Sequence, residues 1–239
     1  MIAERQSMQK SKGKLISLLS GGIDSPVASR MMAAQGWKIV GAHFFNYTSA
    51  REGVREKVIE LATKINDFHA QKKSEGFSSV AKKIPCDKIY LVPFRDLQME
   101  IVKLVPSNVR MIIYRRSMFR IAREILKKEK AKGFVTGDCL AQVASQTLQN
   151  MFVINEAAEG KKVFRPLVGF DKEEITKFAK EFGTYEISIK PYPDCCNFLV
   201  GEYPETNANL NHIKNLEAEV KSLEELEKKA LNSAEIIKF

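Results

Sequence analysis

Ser20-Gly21-Gly22-Ile23-Asp24-Ser25-Pro26 is the segment of this sequence best equipped for chemistry. It follows a short apolar run and precedes a stretch of helical period. Two adjacent glycines let the main chain turn tightly enough for successive amides to face one anion. A helix starting directly behind them adds the partial positive charge of its free N–H groups. A pyrophosphate group fits such a cradle. The loop is neither G-x-x-x-x-G-K-[ST] nor G-x-G-x-x-G. Without the lysine that would stay on a γ-phosphate, it suits cleavage between the α and β phosphates better than simple ATP hydrolysis. The competing reading is a structural Gly-Gly turn with Asp24 and Ser25 as helix caps; the strand in front and the alternating pattern around it favour the phosphate site.

The second set of reactive groups is the four cysteines, Cys86, Cys139, Cys195 and Cys196. None stand in C-x-x-C spacing, and two adjacent thiols make a poor tetrahedral metal site, so no metal held by the cysteines is expected. Cys86 and Cys139 read as buried, inert thiols. Cys195 and Cys196 follow Pro191, Pro193 and Asp194 in what reads as a stiff loop.

These residues need a scaffold, and apolar β-branched segments alternating with longer helical ones supply it. Residues 14–19, 38–44, 88–94 and 133–136 read as strands. Helices are expected over 26–35, with Pro26 in the first turn and Gly36 as the stop, and over 51–71, 109–130 and about 140–150. A capped helix spans 171–182, where Asp171 precedes Glu174 by three residues and Gly183 ends it. Residues 72–85 are lysine-rich and read as a surface excursion. Residues 211–232 carry Ile213, Leu216, Val220, Leu223, Leu226 and Leu231 at spacings of three to five, a helix laying one stripe on the body. Strand and helix in alternation imply an α/β fold, a doubly wound, mostly parallel sheet covered on both faces, with ligands gathering at the carboxyl ends of the strands. Arg116, Arg120 and Arg123 form a basic stripe, either a solvated face or a surface for a nucleic-acid backbone.

The 239 residues hold 38 Lys+Arg against 29 Asp+Glu, a net charge of +9, with 44% apolar and 28% charged residues. That composition excludes disordered, collagen-like and disulfide-scaffold classes. The charge permits a polyanionic partner without establishing one. The longest apolar runs fall far short of the roughly 20 residues of a membrane span, and residues 1–13 are polar and basic with no signal-peptide core. A cytoplasmic protein with no membrane partner is expected. It divides into a basic tail (1–13), a nucleotide domain (14–200) and a helical extension (201–239).

S-G-G-x-D-S resembles the signature of the PP-loop ATP pyrophosphatases, the adenine nucleotide alpha hydrolase-like fold. Thr136-Gly137-Asp138-Cys139-Leu140-Ala141-Gln142-Val143-Ala144-Ser145-Gln146-Thr147, Arg165-Pro166-Leu167-Val168-Gly169 with Asp171-Lys172-Glu173-Glu174-Ile175, and Gly183-Thr184-Tyr185-Glu186-Ile187-Ser188 leading to Pro193-Asp194-Cys195-Cys196 resemble the tRNA 4-thiouridine synthetases, the tRNA sulfurtransferases. The resemblance implies that ATP adenylates O4 of the uridine at position 8 of tRNA, and that sulfur carried as a cysteine persulfide then replaces that oxygen, releasing AMP and pyrophosphate. Part of the family also serves thiamine synthesis.

The resemblance further implies that Ser20, Gly21, Gly22 and Ser25 hold phosphates and that Asp24 supports the loop or a magnesium ion. Leu18, Leu19, His43, Phe44, Arg115, Gly137 and Gln146 match nucleotide-contacting positions. Backbone groups near Leu19 and Phe44 could read adenine, Gly137 would permit close approach, and Arg115 would neutralise phosphate charge. The persulfide falls on Cys195 by an ungapped count from Gly183, and on Cys196 after a one-residue shift. Where some archaeal relatives hold an iron–sulfur cluster with a C-x-x-C, this chain reads Met111-Ile112-Ile113-Tyr114, which argues against a cluster. No ferredoxin-like, THUMP or rhodanese region is recognised. tRNA, a cysteine desulfurase or rhodanese-type sulfur donor in trans and a separate THUMP-type protein are therefore the expected partners. The alternatives are a PP-loop synthetase making a nitrile or amide on a small deazapurine, and a non-catalytic ATP-binding subunit of a tRNA-modifying complex.

Overall fold

The computed structural model describes residues 11–46, 51–66, 86–191, 195 and 198–239. Residues 1–10 of the expected tail, residues 67–85 and Cys196 lie outside the described residues. Six strands form one sheet in the order β5-β4-β1-β2-β3-β6: β1 (Gly13–Leu18), β2 (Trp37–Phe45), β3 (Cys86–Pro93), β4 (Gly133–Val135), β5 (Lys162–Phe164) and β6 (Glu235–Lys238). All neighbours pair in parallel except β6, which runs antiparallel to β3 at one edge.

The period-2 geometry of a strand sorts side chains onto two cores. Ile16, Val40, Ala42, Phe44, Tyr90 and Val92 point to one face, while Leu15, Ile39, Ile89 and Leu91 point to the other. The second face is covered by α1 (Asp24–Ala34), α2 (Arg51–Asn66) and α6 (Lys172–Glu181), through Val27, Val58, Ala62 and Ile175. The first face is covered by α3 (Arg95–Leu104), α4 (Arg110–Glu129), α5 (Leu148–Glu156), α8 (Leu210–Glu219) and α9 (Leu223–Asn232). Burial on both faces makes the strands near-continuously apolar. The short α7 (Tyr185–Ser188) lies beyond α6. Among the described residues no helix is long and apolar enough to cross a membrane.

Several expected elements are corrected. No helix spans 140–150: a turn with Ala141 at φ 60° is followed by a 3-10 turn, Ala144–Gln146, and α5 starts only at Leu148, where the Thr147 hydroxyl accepts the Asn150 amide at 3.1 Å. The expected single helix over 211–232 is two, α8 and α9, broken around Val220, whose ψ of 75° is not helical. Strands β5 and β6 and helix α3 had not been anticipated. Asp171 caps α6 as expected, accepting the Glu174 amide at 2.8 Å while Glu174 accepts the Asp171 amide at 2.9 Å.

The strand order fixes where a ligand belongs. The chain moves from β1 outward through β2 to β3, then returns to lay β4 against the other side of β1. The crevice at the carboxyl ends of β1 and β4 is the switch point of the sheet.

Candidate functional site at the β1–β4 switch point

The 20–25 loop leaves β1 and runs into α1 in that crevice. Ser20 and Ser25 tie it together: the Ser20 amide donates to Ser25 Oγ at 2.8 Å, the two hydroxyls lie 3.0 Å apart, and the Gly22 amide donates to Ser20 Oγ at 3.2 Å. Behind the loop, Ser29 Oγ donates to the Ser25 carbonyl at 2.7 Å and meets Ser17 Oγ of β1, also at 2.7 Å. No side chain caps the N-terminus of α1, so its first amides are directed into the loop.

Gly137, just beyond β4, presses on this turn. A Cβ there would stand 2.6 Å from the Ser25 nitrogen and 2.7 Å from the Asp24 carbonyl carbon. The glycine is therefore required for β4 to pack against the start of α1, a main-chain approach distinct from the approach to nucleotide expected above.

Asp138 follows, with its side chain 4% exposed. Arg115 of α4 donates to its Oδ1 at 2.5 Å; Arg165 and the Thr136 hydroxyl donate to its Oδ2 at 3.0 Å and 2.8 Å. Burial alone would raise this carboxyl, but Arg115, Arg165 and Thr136 hold it below the usual carboxylate range. Two guanidiniums, those of Arg115 and Arg165, share this one carboxylate. Arg115 also reaches Ser145 Oγ at 3.4 Å, beside Gln146, whose Oε1 is buried without a hydrogen-bond partner. On the open side, Lys172 of α6 reaches Asp24 at 3.2 Å.

At the neighbouring strand, His43 is 1% exposed and its Nδ1 lies 2.9 Å from the Leu19 carbonyl, while the Leu19 amide donates to the Ala42 carbonyl at 3.0 Å. Phe44 is buried edge-on to Phe94 with centroids 5.3 Å apart. The structure thus gathers the 20–25 loop, Leu19, His43, Arg115, Gly137 and Gln146 around one crevice.

Cys195 is also buried, 4% exposed, in the same apolar cluster as Phe44, Phe94 and Tyr114, and Gln98 donates to its carbonyl at 2.7 Å. Cys86 and Cys139 are fully buried, and burial pushes both thiols up to about 12. Among the described residues no three His, Cys, Asp or Glu side chains converge to hold a metal.

Arg116, Arg120 and Arg123 form neither a solvated face nor an open basic one. Arg116 is 2% exposed and paired to Glu217 at 2.9 Å and Glu156 at 2.9 Å; Arg120 pairs with Glu217 and Glu227, each at 2.8 Å; Arg123 pairs with Glu159. They lock α4 to α5, α8 and α9.

Asp138, Arg165 and Lys172 lie within the motifs of the sequence, but spacing alone gives them no role; an acid directly after Thr136-Gly137, at the end of a strand, is the one signal they carry. Lys57 was missed without any signal: it is a buried lysine inside α2, lowered by burial and by Lys190, and it donates to the Ser188 and Lys190 carbonyls at 2.9 Å and 2.7 Å. Ser188 Oγ in turn donates to the Gly22 carbonyl at 3.2 Å, supporting the loop from α7.

Residues 10–222 match the family model described as thiamine biosynthesis protein (ThiI). A probable tRNA sulfurtransferase of Acetivibrio thermocellus is 43% identical over 227 residues, covering 95% of this chain and 54% of that protein. A probable tRNA sulfurtransferase of Thermus thermophilus is 38% identical over 95% of this chain and 52% of its own length. The chain spans about half the length of these curated relatives. A crystal structure of a 4-thiouridine synthetase–RNA complex with bound ATP superposes with a TM-score of 0.82 at 40% identity, covering 94% of this chain and 55% of that one.

Proposed function

Since the chain belongs to the ThiI family, we propose that it carries the ATP-dependent step of tRNA uridine thiolation, as a tRNA uracil 4-sulfurtransferase. The observation that carries this reading is the 20–25 loop itself, at the switch point, with a free helix N-terminus behind it and the Arg115–Asp138–Arg165 cluster across from it. Main-chain amides and the Ser20 and Ser25 hydroxyls hold the leaving pyrophosphate. Arg115 adds positive charge where negative charge builds on the phosphates.

The uridine O4 attacks the α-phosphorus and pyrophosphate departs; the outer sulfur of the persulfide then attacks C4 and AMP leaves with that oxygen, and a second thiol attacks the inner sulfur, so that the thiouridine departs and a disulfide is left for an external dithiol to reduce. Adenylation is the useful investment because a carbonyl oxygen is a poor leaving group and AMP a good one. The sulfur is carried as a persulfide on Cys195 or Cys196. Leu18, Leu19, His43, Phe44, Gly137 and Gln146 border the nucleotide, with the Leu19 and Phe44 main chain facing adenine. Magnesium would come with the triphosphate and ease the charge on its oxygens, and Asp24 is the carboxylate in the loop able to hold it.

The proposed partners are tRNA and a persulfide donor, with a THUMP-type unit to bind the tRNA. The test is pyrophosphate release by the purified chain with ATP and magnesium, with and without tRNA, followed by mass spectrometry of tRNA nucleosides after addition of a persulfide donor and a dithiol reductant. Release that requires tRNA, with 4-thiouridine formed, is the expected result. Release triggered by a small acid would replace this reading with a small-molecule synthetase, and ATP binding without release would make the chain a nucleotide-binding subunit.

A further inference from the structure

Gln98 stands at a position in α3 where an apolar residue would be ordinary, between Leu97 and Ile101 on the buried side of the helix. It is 0% exposed. Its Nε2 donates to the Cys195 carbonyl at 2.7 Å across 97 residues of sequence. That carbonyl opens the peptide unit that leads on to Cys196, so the bond holds the main chain of Cys195. Other groups of α3 and α4 grip the segment farther on: Tyr114 donates to the Phe198 carbonyl at 3.2 Å, Arg110 to the Leu199 carbonyl at 2.7 Å, and the Arg95 guanidinium lies 5.9 Å from the Phe198 ring centroid. Among these contacts, that of Gln98 falls on the peptide between the cysteines.

The second observation is the other end of the same amide. Gln98 Oε1 is buried and has no hydrogen-bond partner. Orphaned buried acceptors are costly and rare in folded proteins, and they call for a use. An amide flip does not remove the problem, because it would set two carbonyl oxygens against each other at the Cys195 contact. The orphan shares its amide with the Nε2 that holds Cys195, so it lies within one amide's width of the Cys195 carbonyl.

We propose that Gln98 is a positioning residue for sulfur transfer, anchoring Cys195 by its carbonyl through Nε2 and offering Oε1 as the acceptor that orients the sulfur-bearing group. This deepens the reading of the preceding section and rests on it. The role calls for an amide: a carboxylate would repel the carbonyl, and a hydrocarbon would leave it unpaired.

The test uses the full chain carrying Gln98→Met, which keeps the side-chain volume, and separately Gln98→Glu. Alkylation by iodoacetamide is followed by mass spectrometry for the peptide containing Cys195 and Cys196 and for those containing Cys86 and Cys139, between about pH 6 and pH 9. Pyrophosphate release and 4-thiouridine formation are measured alongside. The expected result is tRNA-dependent pyrophosphate release within about twofold of the parent, 4-thiouridine formation down about 100-fold, and a displaced pH–rate curve for the Cys195–Cys196 peptide alone. The proposal is overturned if thiolation and the alkylation curve stay as in the parent. It is equally overturned if all four thiols gain reactivity together and both half-reactions fall alike, which marks a loosened fold. Should the parent form no 4-thiouridine, the sulfurtransferase reading fails, and the alkylation curves still decide whether Gln98 positions the cysteines.

Discussion

Lys172 opens α6 with its ammonium 3.2 Å from the carboxylate of Asp24, which opens α1. The pair joins two helix N-termini across 148 residues and stands at the mouth of the phosphate loop. The lysine side chain is 58% exposed, so the pair adds little to stability. Its consequence is electrostatic: an ammonium at the loop partly makes up for the lysine that a G-K-[ST] loop would carry. Lys172→Met is expected to leave the melting transition almost unmoved, within about 0.5 kcal/mol, and to reduce ATP-dependent pyrophosphate release by about 10- to 100-fold. Calorimetry together with a pyrophosphate assay checks both halves.

Asp138 behaves differently because it is buried. Asp138→Asn leaves two guanidiniums without their shared counter-charge and is expected to cost about 3–5 kcal/mol and to raise the KM for ATP as Arg115 swings away. The sign with pH follows from the depressed folded-state pKa. The carboxylate's stabilisation is complete above the unfolded value of about 3.9 and is lost as pH falls through the lower folded value. Wild type and Asp138→Asn should therefore differ by a constant amount from neutral pH down to about pH 5 and converge only at more acid pH. Denaturant melts across that range measure the gap.

The parts of the fold that could be read in advance are those where period and punctuation agree. Pro26 and Gly36 bracket α1, with Gly36 at φ 93°, and the Asp171/Glu174 box starts α6. The misread turn at 137–147 has a specific cause. Leu140 and Val143 look like a helical stripe, yet they are 43% and 56% exposed, and the chain instead folds so that Gly137 and Asp138 meet the loop and Arg115. Strands β5 and β6 span three and four residues, too few for alternation to register. Gln98 and Lys57 left no trace because a polar residue on a helix carries no sign of a carbonyl about 100 residues away that it will meet.

The arginine stripe of α4 shows the same limit and yields a prediction. A basic helix face reads alike whether it awaits a polyanion or is already matched by acids 97 to 107 residues later. Arg116 and Arg120 are so matched, by Glu217 and Glu227. Arg116→Met should destabilise the chain by about 1–3 kcal/mol, because the buried Val153 carbonyl loses its donor and Glu217 keeps only Arg120 of its two guanidinium partners. It should leave the salt dependence of tRNA binding unchanged, since no phosphate contact is lost. A fall in the slope of log K against log salt by about one would return Arg116 to the nucleic-acid surface.

Gly137 offers the sharpest steric test of how β4 and the phosphate loop depend on each other. A methyl group there meets main-chain atoms of Asp24 and Ser25 at 2.6–2.9 Å, and neither is a flexible side-chain end that could yield. Either the 137–143 turn or the start of α1 must move. Overpacking of this kind costs about 1–3 kcal/mol, and the displaced amides no longer converge on one anion. Gly137→Ala should therefore bind ATP at least about tenfold more weakly, a loss of about 1.4 kcal/mol, while Gly169→Ala, where the added Cβ meets nothing within 4 Å, should bind it as the parent does. Isothermal titration of both variants with ATP decides the matter: equal affinities would mean that the close packing of β4 on the loop has no part in shaping the anion site.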